Sequence, residues 1–267
     1  RQMCIRDRNT YDINSNQYIL EKLIGKALLD AAMWTNKKCT PWKPQEPDYV
    51  AMLSTKFVKD FFNVLVAVFP HYDFSIVGVY CHQKPIVDIK EAKKPELGDI
   101  LFVYADRKRK GEMVLNSLLL QAKISKNPWL HVHQSERHQL KLYKNWPQFT
   151  YCRAGNLNGK MRNIFPKTIN DGAQYLLIAD NLLANGFFAG NRMFPMGCAI
   201  PDDILYINDS LSSELINLLK FKSGRTFDSD LYSTEDGWSK MIWDLLQIAA
   251  FKYSKSCLLY TSPSPRD

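Results

Sequence analysis

Three polar side chains stand at the ends of two strongly apolar segments in the middle of the chain. Asp99 precedes Ile-Leu-Phe-Val-Tyr, and Gln121 and Lys123 follow a run of three leucines. Because side chains alternate between the faces of a strand, Gln121 and Lys123 should share one face, and a hairpin would bring Asp99 beside both. A carboxylate and a second oxygen can hold Mg²⁺, and a nearby lysine can stabilise negative charge developing on a phosphate. This set is therefore suited to metal-dependent phosphodiester cleavage.

The order and spacing of these residues resemble those of the PD-(D/E)XK, or restriction-endonuclease-like, nuclease superfamily. Its members carry an Asp at the start of one strand and Glu-x-Lys or Gln-x-Lys on the next, which Asp99, Gln121 and Lys123 match. RecB-type members add Gln-x-x-x-Tyr on the following helix, which Gln139 and Tyr143 match. These two residues are one helical turn apart and so face the same groove. The resemblance covers about residues 49–143.

The resemblance implies a restriction-endonuclease-like α/β fold, with a mixed central sheet flanked by helices. It also implies a nuclease that cleaves DNA with Mg²⁺, or with Mn²⁺, in bacterial restriction, repair or defence. Asp99 and Gln121 would then be metal ligands, Lys123 the catalytic cation, and Gln139 and Tyr143 supporting residues. Gln in place of Glu weakens such a site by one formal charge. A non-catalytic nucleic-acid-binding module or a scaffold domain of the same fold is therefore the alternative.

A further acidic ligand is expected, because the family usually has an early helical Glu. The predicted helix Tyr49–Phe69 offers Asp60 but no Glu. Glu21 lies on the preceding predicted helix, and Glu96 stands three residues before Asp99. We place Glu96 first, as a third metal ligand, because of its proximity to Asp99.

Other polar clusters have simpler interpretations. His131, His133 and His138 lack a zinc-ligand spacing and no cysteine joins them, so loop or surface positions are expected. The basic run Arg107–Lys110 is predicted to be a solvated hairpin tip, with a phosphate-contacting turn as its alternative. Asp99 by itself could cap a turn. Lys123, however, is costly inside an apolar strand unless it is paired or functional, which favours the metal-site interpretation.

Hydrophobic periodicity and turn residues predict the elements that must position this site. Helices are predicted over Tyr18–Met33, Tyr49–Phe69, Ser135–Lys144, Leu211–Phe221 and Gly237–Tyr253. Strands are predicted over Phe74–Tyr80, Pro85–Ile89, Asp99–Tyr104, Asn116–Ile124 and Gln174–Ala179. Loops are predicted over Lys37–Pro47 and from the last of these strands to Cys198. Helices and strands mix without a regular alternation, so an α+β or irregular α/β class is expected.

Composition narrows the class of partner and compartment. The formal net charge of +8 is compatible with a polyanion such as DNA. Cys39, Cys81, Cys152 and Cys198 are scattered and form no C-x-x-C pair, which indicates a reducing, cytoplasmic setting. The longest apolar stretch, Phe61–Phe69, is too short to cross a bilayer, and no membrane association is expected.

Both ends of the chain resemble translated sequencing-library adapter. Arg1–Arg8 can be back-translated to DNA containing ATGTGTATAAGAGACAG, whose reverse complement encodes Cys257–Ser262 in another frame. We therefore exclude residues 1–8 and 257–267 from fold reasoning and expect a single domain over residues 9–256. Four arginines against two aspartates in these ends account for +2 of the net charge. The remainder is expected to be a gene fragment, with a partner domain or subunit potentially missing.

Overall fold

A computed structural model describes residues 12–72, 76–107, 113–180, 186–189 and 192–253. The adapter-like ends, residues 1–8 and 257–267, lie outside the described residues, and so do residues 108–112 of the basic turn. The expectation that the two ends have no place in the fold therefore stays a prediction.

The predicted helix Tyr49–Phe69 is present as one continuous helical segment that ends at Val68. A π-helical turn at Leu53–Phe57 joins two α-helices into this segment. It begins at Glu46, three residues before the predicted start. The helices are α1 (Gln17–Cys39), α2 (Glu46–Met52), α3 (Val58–Val68), α4 (Arg137–Asn145), α5 (Leu211–Leu219) and α6 (Gly237–Tyr253).

The strands of the described chain vary from two to thirteen residues in length. The longest is β4, which carries Gln121 and Lys123. In chain order the strands are β1 (Ile76–Tyr80), β2 (Ile86–Asp88), β3 (Ile100–Arg107), β4 (Met113–Ser125), β5 (Trp129–His131), β6 (Phe149–Arg153), β7 (Met161–Arg162), β8 (Ala173–Ala179), β9 (Phe187–Ala189), β10 (Arg192–Phe194), β11 (Met196–Ala199), β12 (Ile204–Ser210) and β13 (Arg225–Phe227).

Eight of these strands form one mixed sheet. Its order is β1-β3-β4-β8-β11-β12-β5, and β13 also pairs with β4. Strands β4 and β8 are parallel, whereas the other pairs in this sheet are antiparallel. A parallel pair needs a long crossover, and the chain between β4 and β8 includes α4. The prediction of an α/β fold with a mixed sheet and flanking helices is confirmed.

The core is built around β4. Leu118, Leu119 and Leu120 are completely buried, because β3 and β8 cover the edges of β4 and helices α2 and α5 contact it. Burial on both faces explains why this strand reads as a continuous apolar run and not as an alternating pattern. A polar residue in β4 is therefore enclosed by protein unless it lies near the end of the strand.

Two loop predictions were wrong. Helix α1 continues to Cys39 and α2 starts at Glu46, so the predicted loop Lys37–Pro47 is reduced to a short connection. The stretch predicted as loop up to Cys198 contains β9, β10 and most of β11. Strands this short give little periodicity, and β11 is specified by pairing with β8 and β12, which a local pattern cannot show.

Candidate metal centre

Asp99 is held between two strands at the entrance to β3. Its backbone N–H donates to the Leu120 carbonyl (2.9 Å), and its own carbonyl accepts from Cys81 N–H (2.7 Å). The register pairs Ile100 with Leu120 in an antiparallel hairpin, as the sequence predicted. Asp99 consequently lies next to Gln121, and its side chain is only 1% exposed.

The Asp99 carboxylate has three hydrogen-bond partners. Its Oδ2 accepts from the Gln121 side-chain amide and from Ala122 N–H, the latter at 2.7 Å. Its Oδ1 lies 2.8 Å from His82 Nδ1. Gln121 therefore contacts Asp99 as expected, but it does so through its amide nitrogen. A direct metal ligand would need the amide oxygen, so that role of Gln121 stays a prediction.

Lys123 lies on the same face of β4, two residues beyond Gln121. Its Nζ is 2.5 Å from Glu136 Oε1 and 4.0 Å from Glu46 Oε2. Burial by itself lowers the pKa of the Lys123 ammonium, but the carboxylates of Glu46 and Glu136 outweigh it, so the net pKa is raised. Lys123 is thus protonated at neutral pH, and the charge of Asp99 also raises its pKa.

Glu46 is a site residue that the sequence analysis missed. It is the first residue of α2, and its Oε1 accepts from Ile124 N–H in β4 (3.2 Å). A capping box between Gln45 and Asp48 fixes this helix start, with Pro47 in the first turn. The residues Gln-Glu-Pro-Asp could have indicated a helix start here, but the sequence analysis assigned them to a loop. Burial raises the pKa of the Glu46 carboxyl.

The other acidic candidates have different positions. Asp60 pairs with Lys56 at 2.7 Å, one turn away on the same helix, and Glu21 lines a separate pocket that includes Asp209. Glu96, ranked first from the sequence, does lie at the site. Its Oε2 accepts from Gln83 N–H (2.9 Å) and is 3.4 Å from His82 Nδ1.

His82, Glu96 and Asp99 form a group that can hold a metal ion. One ligand atom from each lies within 4.8 Å of the others. The hydrogen bond to Asp99 raises the pKa of the His82 imidazole, and burial raises the pKa of the Glu96 carboxyl. One imidazole nitrogen and two carboxylate oxygens are suitable donors for a divalent cation.

His82 was not predicted as a site residue. It stands two residues after the end of β1, and no local motif distinguishes it. Of the histidines weighed from the sequence, His131 packs edge-on against Trp129 and His133 Nδ1 lies 2.8 Å from Ser135 Oγ. Only the pairing of β1 with β3 shows that His82 meets Asp99.

Helix α4 supports the site through Tyr143. This tyrosine is fully buried, stacks on Trp146 (5.5 Å between ring centroids) and donates to the Leu97 carbonyl at 3.0 Å. Gly98 permits this approach, because a Cβ there would lie 2.9 Å from the Tyr143 hydroxyl oxygen. Gln139 is buried one turn earlier on the same helix. Tyr143 thus fixes the backbone that leads into Asp99.

Comparisons with protein-family models, with curated proteins and with solved structures gave no match for this chain. The superfamily resemblance therefore rests on the sequence motifs and stays a prediction. Within the described residues, no helix combines the length and the apolar character needed to cross a membrane.

Proposed function

We propose that this chain is a divalent-metal-dependent nuclease that hydrolyses phosphodiester bonds in DNA. The observation that carries the proposal is the convergence on Asp99. One buried carboxylate contacts both His82 and Gln121, while Lys123 follows on the same face of β4. Acidic and imidazole ligands together with a protonated lysine are groups that can support metal-assisted phosphodiester hydrolysis.

The donor set supports a bound divalent cation held by His82, Glu96 and Asp99. When bound, Mg²⁺ or Mn²⁺ would supply an activated water and neutralise charge on the scissile phosphate. Mg²⁺ is expected from the resemblance, with Mn²⁺ as the alternative, since the two carboxylates of Glu96 and Asp99 suit either ion.

Each protein group then has a defined part in the proposal. Lys123 stabilises the negative charge that develops on the phosphate oxygens, because its raised pKa keeps it protonated. Glu46 and Glu136 hold its ammonium group in place. Gln121 and the Ala122 amide orient Asp99 by hydrogen bonds. The basic net charge that remains once the adapter-like ends are set aside, +8 less their +2, is compatible with an anionic polymer as substrate.

Cleavage assays with the purified chain test this function. We expect cleavage of single-stranded, double-stranded or branched DNA with Mg²⁺ or Mn²⁺ and none after chelation. Lys123→Ala should lower the cleavage rate by about 10²–10³-fold with DNA binding retained, because the lysine acts on the transition state. Asp99→Ala should lose both metal binding and cleavage.

Lys26→Ala is the matched control, since Lys26 is an exposed lysine paired with Asp30. It should cleave at the wild-type rate. Cleavage that survives unchanged in both Asp99→Ala and Lys123→Ala would move the active site elsewhere. Salt-sensitive DNA retention without cleavage in either metal would favour the non-catalytic binding module instead.

A further inference from the structure

Three buried polar atoms on the neighbouring elements β4, α4 and β8 have no hydrogen-bond partner among the described residues. They are Gln121 Oε1, Gln139 Nε2 and the Tyr175 hydroxyl oxygen. Their residues are 5%, 5% and 1% exposed. Buried polar groups in proteins are nearly always paired with protein or ordered water, because an unpaired one is costly. Three such atoms around one site call for a common explanation.

The three side chains belong to one neighbourhood. Gln121 and Tyr175 are directly paired in the parallel register of β4 and β8, so they share a face of the sheet on adjacent strands. The Tyr175 ring is 5.7 Å from the Tyr143 ring, and Gln139 lies one turn before Tyr143 on α4. Burial raises the pKa of the Tyr175 hydroxyl, and the Glu136 and Asp99 charges raise it further.

The hydrogen-bonding capacities of the three groups are complementary. Gln121 Oε1 can only accept, Gln139 Nε2 can only donate, and a tyrosine hydroxyl does either. A buried water typically makes about three hydrogen bonds to groups that are otherwise unsatisfied. One water can accept from Gln139 and from Tyr175 and donate to Gln121, which satisfies all three.

We propose that Gln121, Gln139 and Tyr175 bind one buried water behind the metal centre, and that Tyr175 is thereby a positioning residue. The water fixes the amide of Gln121 with its nitrogen toward Asp99 Oδ2. Asp99 Oδ1 is then left for His82 and the cation. In this arrangement Gln121 acts on the metal through Asp99, in contrast to the direct ligation expected from the sequence. The inference rests on the proposed metal site but not on cleavage of DNA.

Metal titration and thermal unfolding of the purified chain test this proposal without DNA. We would compare Mn²⁺ binding by calorimetry for the wild type, Tyr175→Phe and Gln139→Met. Tyr206→Phe is the matched control, because Tyr206 lies on β12, two strands away from β8, and is 58% exposed. We expect Tyr175→Phe and Gln139→Met each to weaken Mn²⁺ binding about threefold. This is less than the roughly tenfold or greater loss that follows removal of a direct hydrogen bond to a metal ligand, because both residues act on Asp99 through the water and Gln121.

The direction of the change in melting temperature separates a bound water from an unpaired hydroxyl. If the water is present, Tyr175→Phe breaks its network and lowers the melting temperature. Removing a hydroxyl that has no partner would raise it. Unchanged Mn²⁺ affinity in Tyr175→Phe overturns the proposal, and so does a raised melting temperature. If the variants weaken Mn²⁺ binding as expected but the wild type does not cleave DNA, this inference stands and the proposed function fails.

Discussion

Glu46 joins the start of α2 to the end of β4 that carries Lys123. Its two carboxylate oxygens have different partners: Oε1 accepts a hydrogen bond from Ile124 N–H, and Oε2 lies 4.0 Å from Lys123 Nζ. A carboxylate at the first position of a helix is also stabilised by the helix dipole. Glu46 is therefore a charge partner that keeps Lys123 protonated, and its effect should be visible in the pH dependence of the reaction.

Glu46→Gln should narrow the pH range of activity on the alkaline side. In the proposed reaction Lys123 acts while protonated, so cleavage should fall as the pH rises through its pKa. The Glu46 carboxylate contributes to raising that pKa, and the neutral amide does not. The alkaline limb of the pH–rate profile should move to lower pH in the variant. Glu21→Gln, in the separate pocket, serves as the control and should keep the wild-type profile.

The residues that sequence could predict are those joined by short-range geometry. Asp99 and Gln121 meet because a hairpin and the alternation of side chains bring them together. His82 and Glu46 reach the site through contacts between elements far apart in sequence, which no spacing rule encodes. Glu136 is a third such case, because its role appears only in the ion pair with Lys123.

At the scale of elements, α5 buries a carboxyl group away from the candidate site. Glu214 is 5% exposed and accepts from Gln174 of β8 at 2.5 Å. Burial raises the pKa of this carboxyl above its ordinary value of 4.5. The protonated form is therefore favoured in the fold. Its contribution to stability is complete below the unfolded pKa and is lost as the pH rises through the folded pKa.

Glu214→Gln should stabilise the protein at neutral pH. A neutral amide removes the cost of the buried charge, so the free energy of unfolding should rise by on the order of 1 kcal/mol at pH 7. At pH 4 the gain should be smaller, because the wild-type carboxyl is then mostly protonated. Urea unfolding at both pH values measures the difference. Glu235→Gln, with a 95% exposed side chain, should show no comparable gain, and an equal gain at both pH values would contradict the burial argument.

Elements with long periodic patterns were predictable, whereas of the shorter strands only β1 and β2 were predicted. Helix α6 lies over the predicted Gly237–Tyr253, and β3 and β4 contain the predicted apolar runs. Besides β9, β10 and β11, which lie in a predicted loop, strands β5, β6, β7, β12 and β13 were not predicted. Strand β12 carries an irregular mixture of exposed and buried residues, so its sequence has no strand-like periodicity. It is held in the sheet by pairing with β11 on one side and β5 on the other. Its existence follows from the sheet around it and not from its own composition.

At the scale of the whole molecule, one central sheet provides both the core and the candidate site. The sequence analysis predicted the fold class, a mixed sheet flanked by helices. The order of the strands was not predicted, because composition does not reveal which strands are neighbours. Because the sheet provides both the core and the candidate site, Asp99 is buried in the same core as Leu118–Leu120. Substitutions at the site should therefore be checked for folding before any loss of activity is assigned to chemistry.

The parallel pairing of β4 with β8 has a consequence for the order in which the protein folds. The β3–β4 hairpin closes locally, whereas β8 can pair with β4 only after residues 126–172 have been arranged. Non-local pairing is slow, because loop-closure entropy is lost before contacts compensate for it. During refolding, pulse-labelled hydrogen exchange should show protection of β3 amides before those of β8. Simultaneous protection would contradict this order. Asp99 and Gln121 would then meet first, and Tyr175 would arrive later to complete the centre.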